Sequence, residues 1–233
     1  MREETTMTRE RWLEARLALL AEEKAFMKAK DALAAKRRAL PRYRISKPYV
    51  FQTVEGPRSL PQLFSKHSQL VVYHFMFGPD WQQGCKSCSF WADSFNGTLP
   101  HLNQRDVSLV AVSSAPLDKL LAFRTRMGWS FDWVSSAGSN FNTDFGVTGK
   151  PGETLLYNFD KPIQDAGELP GLSIFAREGE DVFHTYSCYA RGLDMLNAAY
   201  QILDLTPMGR DEDSLPYTMN WVKHHDLYKE HVP

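Results

Sequence analysis

Cys85 and Cys88, separated by Lys86 and Ser87, are the residues of this chain whose type and spacing point most directly to chemistry. A cysteine at the first turn of a helix meets unpaired backbone N–H groups and the positive end of the helix dipole, and both favour the thiolate. Cys85 is expected to hold that position and to act as the nucleophile of thiol–disulfide exchange. Cys88 lies one helical turn further on the same face, where it can attack a mixed disulfide at Cys85 and close an internal disulfide. Lys86, a candidate substrate contact, adds positive charge that is expected to lower the Cys85 pKa further. Cys188 reads as a small buried hydrophobe, with a resolving or regulatory thiol as the alternative.

Aromatic residues crowd the same stretch. Trp81 precedes Cys85 in what reads as a turn, and Phe75, Phe77, Phe90 and Trp91 surround the pair in sequence. They could line a groove for a peptide or an apolar thiol; Phe75 and Phe77, on a strand, read as core, which leaves Trp81 the better candidate for substrate contact. A metal reading competes, with His184 or His74 joining the two thiols. No second Cys or His pair stands at ligand spacing, His224 and His225 being adjacent, and Ser89 occupies the place where a c-type haem motif needs histidine. No metal or other cofactor is therefore expected.

The elements that must position the dithiol follow from pattern. Residues 70–77 form an apolar run suited to a buried parallel strand, stopped at Gly78-Pro79-Asp80, and a helix is expected from about Cys85, kinked near Gly97 and Pro100. Residues 49–51, 107–112 and 155–157 read as strands, 117–127 as a helix, 172–176 and 181–186 as a strand pair, and 192–205 as a closing helix. This alternation predicts an α/β sheet with helices on both faces and a hairpin at one edge. Residues 8–40 carry no Gly or Pro and form the clearest helix; Trp12, Leu19, Phe26, Leu33 and Leu40 recur every seven residues along it. That stripe needs a cover, on its own domain or in a homodimer. The expected division is an N-terminal helix and linker over 1–48, an α/β domain over 49–206, and a tail over 207–233, irregular until a short helix at 219–228.

The bulk numbers agree with an ordinary globular chain. Its 233 residues are 43% hydrophobic, enough to bury a core without staples. Lys and Arg number 27 against 28 Asp and Glu, so no global field favours nucleic acid or an anionic membrane. The first residues, Met1-Arg2-Glu3-Glu4, lack the apolar stretch of a secretory leader, and no segment has the apolar length of a membrane span. A cytoplasmic location is expected, where a cysteine pair is reactive or metal-binding and not a structural disulfide.

Residues 72–75, the Trp81 turn and Cys85-x-x-Cys88 resemble the strand, tryptophan turn and redox helix of thioredoxins, and Leu169-Pro170 followed by Phe175 is similar in spacing to the thioredoxin cis-proline and the strand phenylalanine behind it. The resemblance implies a thioredoxin-like fold and makes Pro170 a site residue that faces the cysteines and shapes the substrate groove. Ser59-Leu60-Pro61, residues 110–113 and Phe145-Gly146-Val147 resemble the peroxiredoxin-like branch. More closely, residues 74–81, 128–131 and 189–194 resemble the thioredoxin-like family labelled domain of unknown function 899, over almost the whole chain.

Departures from thioredoxin bear on the chemistry. Gly84, not tryptophan, precedes Cys85, Lys86-Ser87 replace Gly-Pro, and His74 stands where the buried acid is expected. His74 could then accept the Cys88 proton, and His184, Tyr186 and Tyr189 could reach the redox site in that topology, with Tyr186 a substrate contact. The expected function is a dithiol–disulfide oxidoreductase acting on a thiol or disulfide substrate with an unknown electron donor. A thiol peroxidase is the alternative, although peroxiredoxins carry threonine or serine three residues before the peroxidatic cysteine and proline seven before, where this chain has Gln82 and Gly78. Arg177 or Arg191 could stand in for the arginine of that family.

Overall fold

The structure, a computed structural model, describes residues 7–229; residues 1–6, on which the expectation of no secretory leader rests, lie outside them. Backbone contacts divide the chain into two compact units between Pro41 and Arg42.

The first unit is one helix, α1 (Arg9–Arg38), started by Thr8, whose hydroxyl accepts from the Arg11 N–H, and ended by a last turn carrying Lys36, Arg37 and Arg38, cations that suit the negative end of the helix dipole. None of its residues is buried, and Phe26 is 68% exposed.

The second unit is built on an eight-stranded mixed sheet. Its strands are β1 (Tyr43–Arg44), β2 (Val50–Thr53), β3 (Gly56–Ser59), β4 (Gln69–His74), β5 (Val107–Ser113), β6 (Asp132–Ser135), β9 (Gly171–Glu178) and β10 (Asp181–Tyr189), in the spatial order β1-β10-β9-β4-β5-β6-β2-β3. Strands β7 (Thr154–Tyr157) and β8 (Lys161–Gln164) form a separate hairpin. β4, β5 and β6 run parallel, joined by helical crossovers, and β9 returns antiparallel beside β4. This is a thioredoxin-like α/β fold, with β4 delivering the chain from the middle of the sheet to the dithiol.

The two faces are covered differently. The helices α2 (Lys86–Asn96), α4 (Leu117–Arg126) and α6 (Ala198–Leu203) pack on the face lined by Tyr73, Leu109 and Leu172. The other face, lined by Leu70, Val72 and Val110, is closed by a 3₁₀ segment, Leu60–Phe64, and by the single turn α5 (Phe141–Asp144).

Several boundaries differ from the sequence expectation. The helix after Cys85 is not kinked but ends at Asn96, and a separate α3 (Leu99–Gln104) starts with Pro100 in its first turn, where proline needs no N–H partner. The closing helix is likewise split, a 3₁₀ segment Ala190–Leu196 giving way to α6 at Asn197, whose side chain accepts from the Tyr200 N–H. Part of the basic linker, Tyr43–Arg44, pairs with β10 as an edge strand. Of the short helix expected at 219–228, only His225–Leu227 forms, as 3₁₀.

Candidate active site

Strand β4 ends at His74, and the chain continues extended through Phe75, whose N–H donates to the Val112 carbonyl at 3.0 Å, to Phe77, whose carbonyl accepts from Ala115 at 2.9 Å. This extension carries Met76 to the dithiol. The Met76 carbonyl accepts from the Cys85 N–H at 3.1 Å, while the Met76 N–H donates to the Cys88 sulfur at 3.5 Å. One residue of backbone thus holds both cysteines. Gly84 is required just ahead of them, because a Cβ there would lie 2.7 Å from the Phe75 ring and 2.9 Å from that of Phe123.

Cys85 is the N-cap of α2 and half-buried, whereas Cys88, in its first turn, is 2% exposed. The Cys88 thiol donating to it is the largest influence on Cys85 and, with the backbone N–H groups of Cys88 and Ser87, lowers its pKa to about 6 against the opposing effect of burial. Burial pushes the Cys88 thiol well up, and the hydrogen bond and charge of Cys85 add to that. Tyr73, fully buried on the same sheet face, donates its hydroxyl to the Cys88 carbonyl at 3.3 Å.

Lys86 does not serve the nucleophile as expected. Its ammonium donates to the Asn220 carbonyl at 3.2 Å and stands 6.0 Å from the centre of the Tyr217 ring. It is turned to the C-terminal segment, and the groups that lower the Cys85 pKa are the Cys88 thiol and helix backbone instead.

Nor does His74 stand beside Cys88. Side chains alternate along a strand, and Tyr73 takes the dithiol face, so His74 enters the opposite core between Phe141 and Phe145. There its Nε2 pairs with the Ser173 hydroxyl at 2.8 Å, Ser173 with Ser187 at 2.8 Å, and Ser187 with His184 Nε2 at 2.7 Å. His184 and Ser187 are three residues apart and share a face only because β10 bulges between His184 and Tyr186. Burial, then the nearby His184, pushes the His74 pKa down to about 3, so its imidazole is neutral. Neither histidine of the metal alternative joins the thiols, and among the described residues no three His, Cys, Asp or Glu side chains converge.

Pro170 lines, with Cys88 and not Cys85, a cavity of about 170 Å³ whose apolar walls include Tyr73, Trp91 and Leu193. Its carbonyl accepts from the Tyr157 hydroxyl at 2.8 Å, and that oxygen accepts from the Ala190 N–H at 2.9 Å. The Leu169–Pro170 bond is trans, as is every described peptide bond, where the resemblance implies cis. The loop follows an extended path there, with the Leu169 N–H donating to the Val147 carbonyl at 2.8 Å and Thr148 bridging to Glu168. Trp81 is 36% exposed in its turn, its N–H bonded to the Gly78 carbonyl at 3.1 Å, and Tyr186 is half-buried in the core that contains Cys88. Neither is among the residues lining the cavity.

Sequence reasoning missed the C-terminal segment. It read the tail as irregular and separate, yet His224, 4% exposed, donates from Nε2 to the Gly84 carbonyl at 2.9 Å, and Thr218 and Met219 line the cavity. The Glu212 carboxylate fixes this strap by accepting from the Tyr200 hydroxyl, the Trp221 indole and the Met219 N–H. The aromatic and Met residues at 217–221 are the one signal that could have suggested packing.

The family of bacterial proteins of unknown function DUF899 matches residues 1–228, and the chain belongs to it. No curated protein matches. Among solved structures, the chain is similar to peroxiredoxin Q of Xanthomonas campestris, at 16% identity and a TM-score of 0.46 over 64% of this chain and 85% of that one. Peroxidoxin BcpB of Mycobacterium tuberculosis follows at 16% identity and a TM-score of 0.45, over 70% and 96% of the two chains. The mitochondrial 2-cys peroxiredoxin of Plasmodium falciparum gives 15% identity and a TM-score of 0.42, over 70% and 91%.

Proposed function

We propose that this member of the DUF899 family is a dithiol–disulfide oxidoreductase in which Cys85 is the nucleophile and Cys88 the resolving thiol. The observation that carries this reading is the pairing of a half-exposed N-cap cysteine with a buried partner one turn on, held together by the Met76 backbone. Near neutral pH Cys85 is a thiolate, and Cys88 keeps its proton and donates it as a hydrogen bond. Attack of the Cys85 sulfur on a substrate disulfide breaks the substrate S–S bond, forms a mixed disulfide and releases one thiolate.

Forming that mixed disulfide removes the negative charge from Cys85. Two of the three influences that hold the Cys88 proton, the hydrogen bond to Cys85 and its charge, then vanish together, leaving burial alone. Cys88 therefore ionises more readily once Cys85 has reacted, with burial, the largest influence, still opposing it. Its thiolate attacks the Cys85 sulfur, the second substrate thiolate leaves with the proton, and a Cys85–Cys88 disulfide remains, to be reduced by a separate electron donor. Pro170 and the cavity walls position the substrate beside the cysteines, with Trp81 available at the exposed turn. Among the described residues no helix is long and apolar enough to cross a membrane, and the reducing cytoplasm suits a dithiol resting in the reduced state.

Peptide mapping tests the assignment. Iodoacetamide at mildly acidic pH labels Cys85 ahead of Cys88, and Cys88→Ser accumulates a mixed disulfide with a small thiol at Cys85, whereas Cys85→Ser accumulates none. Preferential labelling of Cys88 reverses the roles. Consumption of hydrogen peroxide by Cys85 without formation of the Cys85–Cys88 disulfide favours the peroxidase reading.

A further inference from the structure

The cavity beside Cys88 has a size and a lining that the general redox reading does not require. Its volume of about 170 Å³ is walled by Met76, Trp91, Leu193 and Met219 together with Pro170. An apolar cavity of about 150 Å³ stays dry and takes a benzene-sized ligand. The partly buried charges in the walls are already committed. Arg210 forks onto both oxygens of Asp194 at 2.9 Å and is bonded to Asp204 as well, and Glu212 accepts its three hydrogen bonds from protein donors. Arg191, the remaining lining charge, is exposed to solvent.

The approach to the dithiol is narrowed by the strap. It bonds the residues on both sides of Cys85, Gly84 through His224 and Lys86 through the Asn220 carbonyl. Its far end is fastened by Arg126, which forks onto Asp226 at 2.8 and 3.0 Å. A folded protein presenting a disulfide would have to fit beside this strap, whereas a small molecule needs only the cavity.

We propose that the substrates are small disulfides bearing apolar groups up to about one aromatic ring, with one group seated in the cavity between Cys88, Pro170 and Met219 while its sulfur is joined to Cys85. This rests on the dithiol reading above. The reaction is RS–SR plus the two thiols giving two RSH and the Cys85–Cys88 disulfide, with both electrons coming from the cysteine pair. The seated group adjoins Cys88, so Cys88 attack on the Cys85 sulfur expels it as RS⁻, which takes the proton.

The experiment compares oxidation of the reduced full-length protein by di-n-propyl disulfide and by bis(2-hydroxyethyl) disulfide, each rate divided by that of free N-acetylcysteine with the same reagent. The one propyl arm seated in the cavity buries a methyl where a hydroxyethyl arm would bury a hydroxyl, which predicts a normalised preference of about tenfold for the propyl compound. In Met219→Trp, which fills the cavity, the preference falls, and in Met219→Ala it moves towards larger groups such as benzyl. A wild-type protein oxidised by both reagents with a normalised ratio near one overturns the cavity proposal and leaves the dithiol reading standing. A protein in which neither reagent produces the Cys85–Cys88 disulfide by mass overturns the dithiol reading itself, and with it the cavity proposal.

Discussion

The Tyr73 hydroxyl donates to the carbonyl of Cys88 at 3.3 Å from a position that is 1% exposed. Burial holds its pKa well above the usual tyrosine value, so it is a neutral donor at all working pH. It also favours the ionised form of the Cys88 thiol, which makes it a positioning residue for the resolving step. Tyr73→Phe removes one neutral hydrogen bond, about 1 kcal/mol, and is expected to slow resolution about fivefold while Cys85 still alkylates with its inflection near pH 6. Rapid quench of a mixed disulfide at several pH values reads both steps; an unchanged resolution rate and pH profile would show Tyr73 to be packing alone.

Much of this site was legible in the chain, and the parts that were not share a physical reason. The dithiol at a helix start and its placement after a buried strand follow from local pattern, whereas Pro170, which lines a cavity with Cys88, is named only through the resemblance to thioredoxins. The side-chain parity of β4 follows from neither. An apolar run buried on both faces carries no alternation to say which residue points where, so the sequence puts His74 beside Cys88, on the face that Tyr73 takes. The β10 bulge and the docking of 209–226 depend on contacts between residues distant in sequence, to which periodicity is blind.

Cys88 is the largest influence on Cys85, and this gives a sharp titration experiment. The rate of Cys85 alkylation should rise with pH through an inflection near 6 in the wild-type protein. In Cys88→Ala the thiol donor is gone while the backbone N–H groups remain, and the inflection moves upward. An inflection that stays where it was would assign the acidity to the helix backbone alone. Lys86→Met is expected to leave it in place, since its ammonium is bonded to the strap.

His74 predicts an acid limb of stability. Its folded pKa, near 3, lies below the unfolded value of about 6.5, so between these values the unfolded chain binds the extra proton. The stability that comes from burying a neutral ring is complete above about pH 6.5 and is lost as pH falls through that window, at up to about 1.4 kcal/mol per pH unit for this one group. Urea midpoints between pH 7 and 5 should show that loss, and His74→Asn should flatten it to the part left by His184, whose pKa burial also lowers. The Cys85 alkylation profile of that variant should match the wild type. A shifted profile would return His74 to the dithiol.

The last prediction concerns α1. Trp12, Leu19, Phe26 and Leu33 repeat at seven-residue spacing on a helix that buries none of its residues, with exposures of 50, 51, 68 and 47%. Burying such side chains stabilises by about 2 kcal/mol each, and a seven-residue period is the spacing at which two helices keep a common seam. We propose that the stripe meets its counterpart in a second copy of the chain. Light scattering on the full-length protein should give twice the 26.7 kDa of the single chain, and Leu19→Glu with Phe26→Glu, two charges placed on the seam, should return the mass to that of one chain while Cys85 alkylation goes on as before. A full-length protein that stays monomeric at high concentration refutes the dimer.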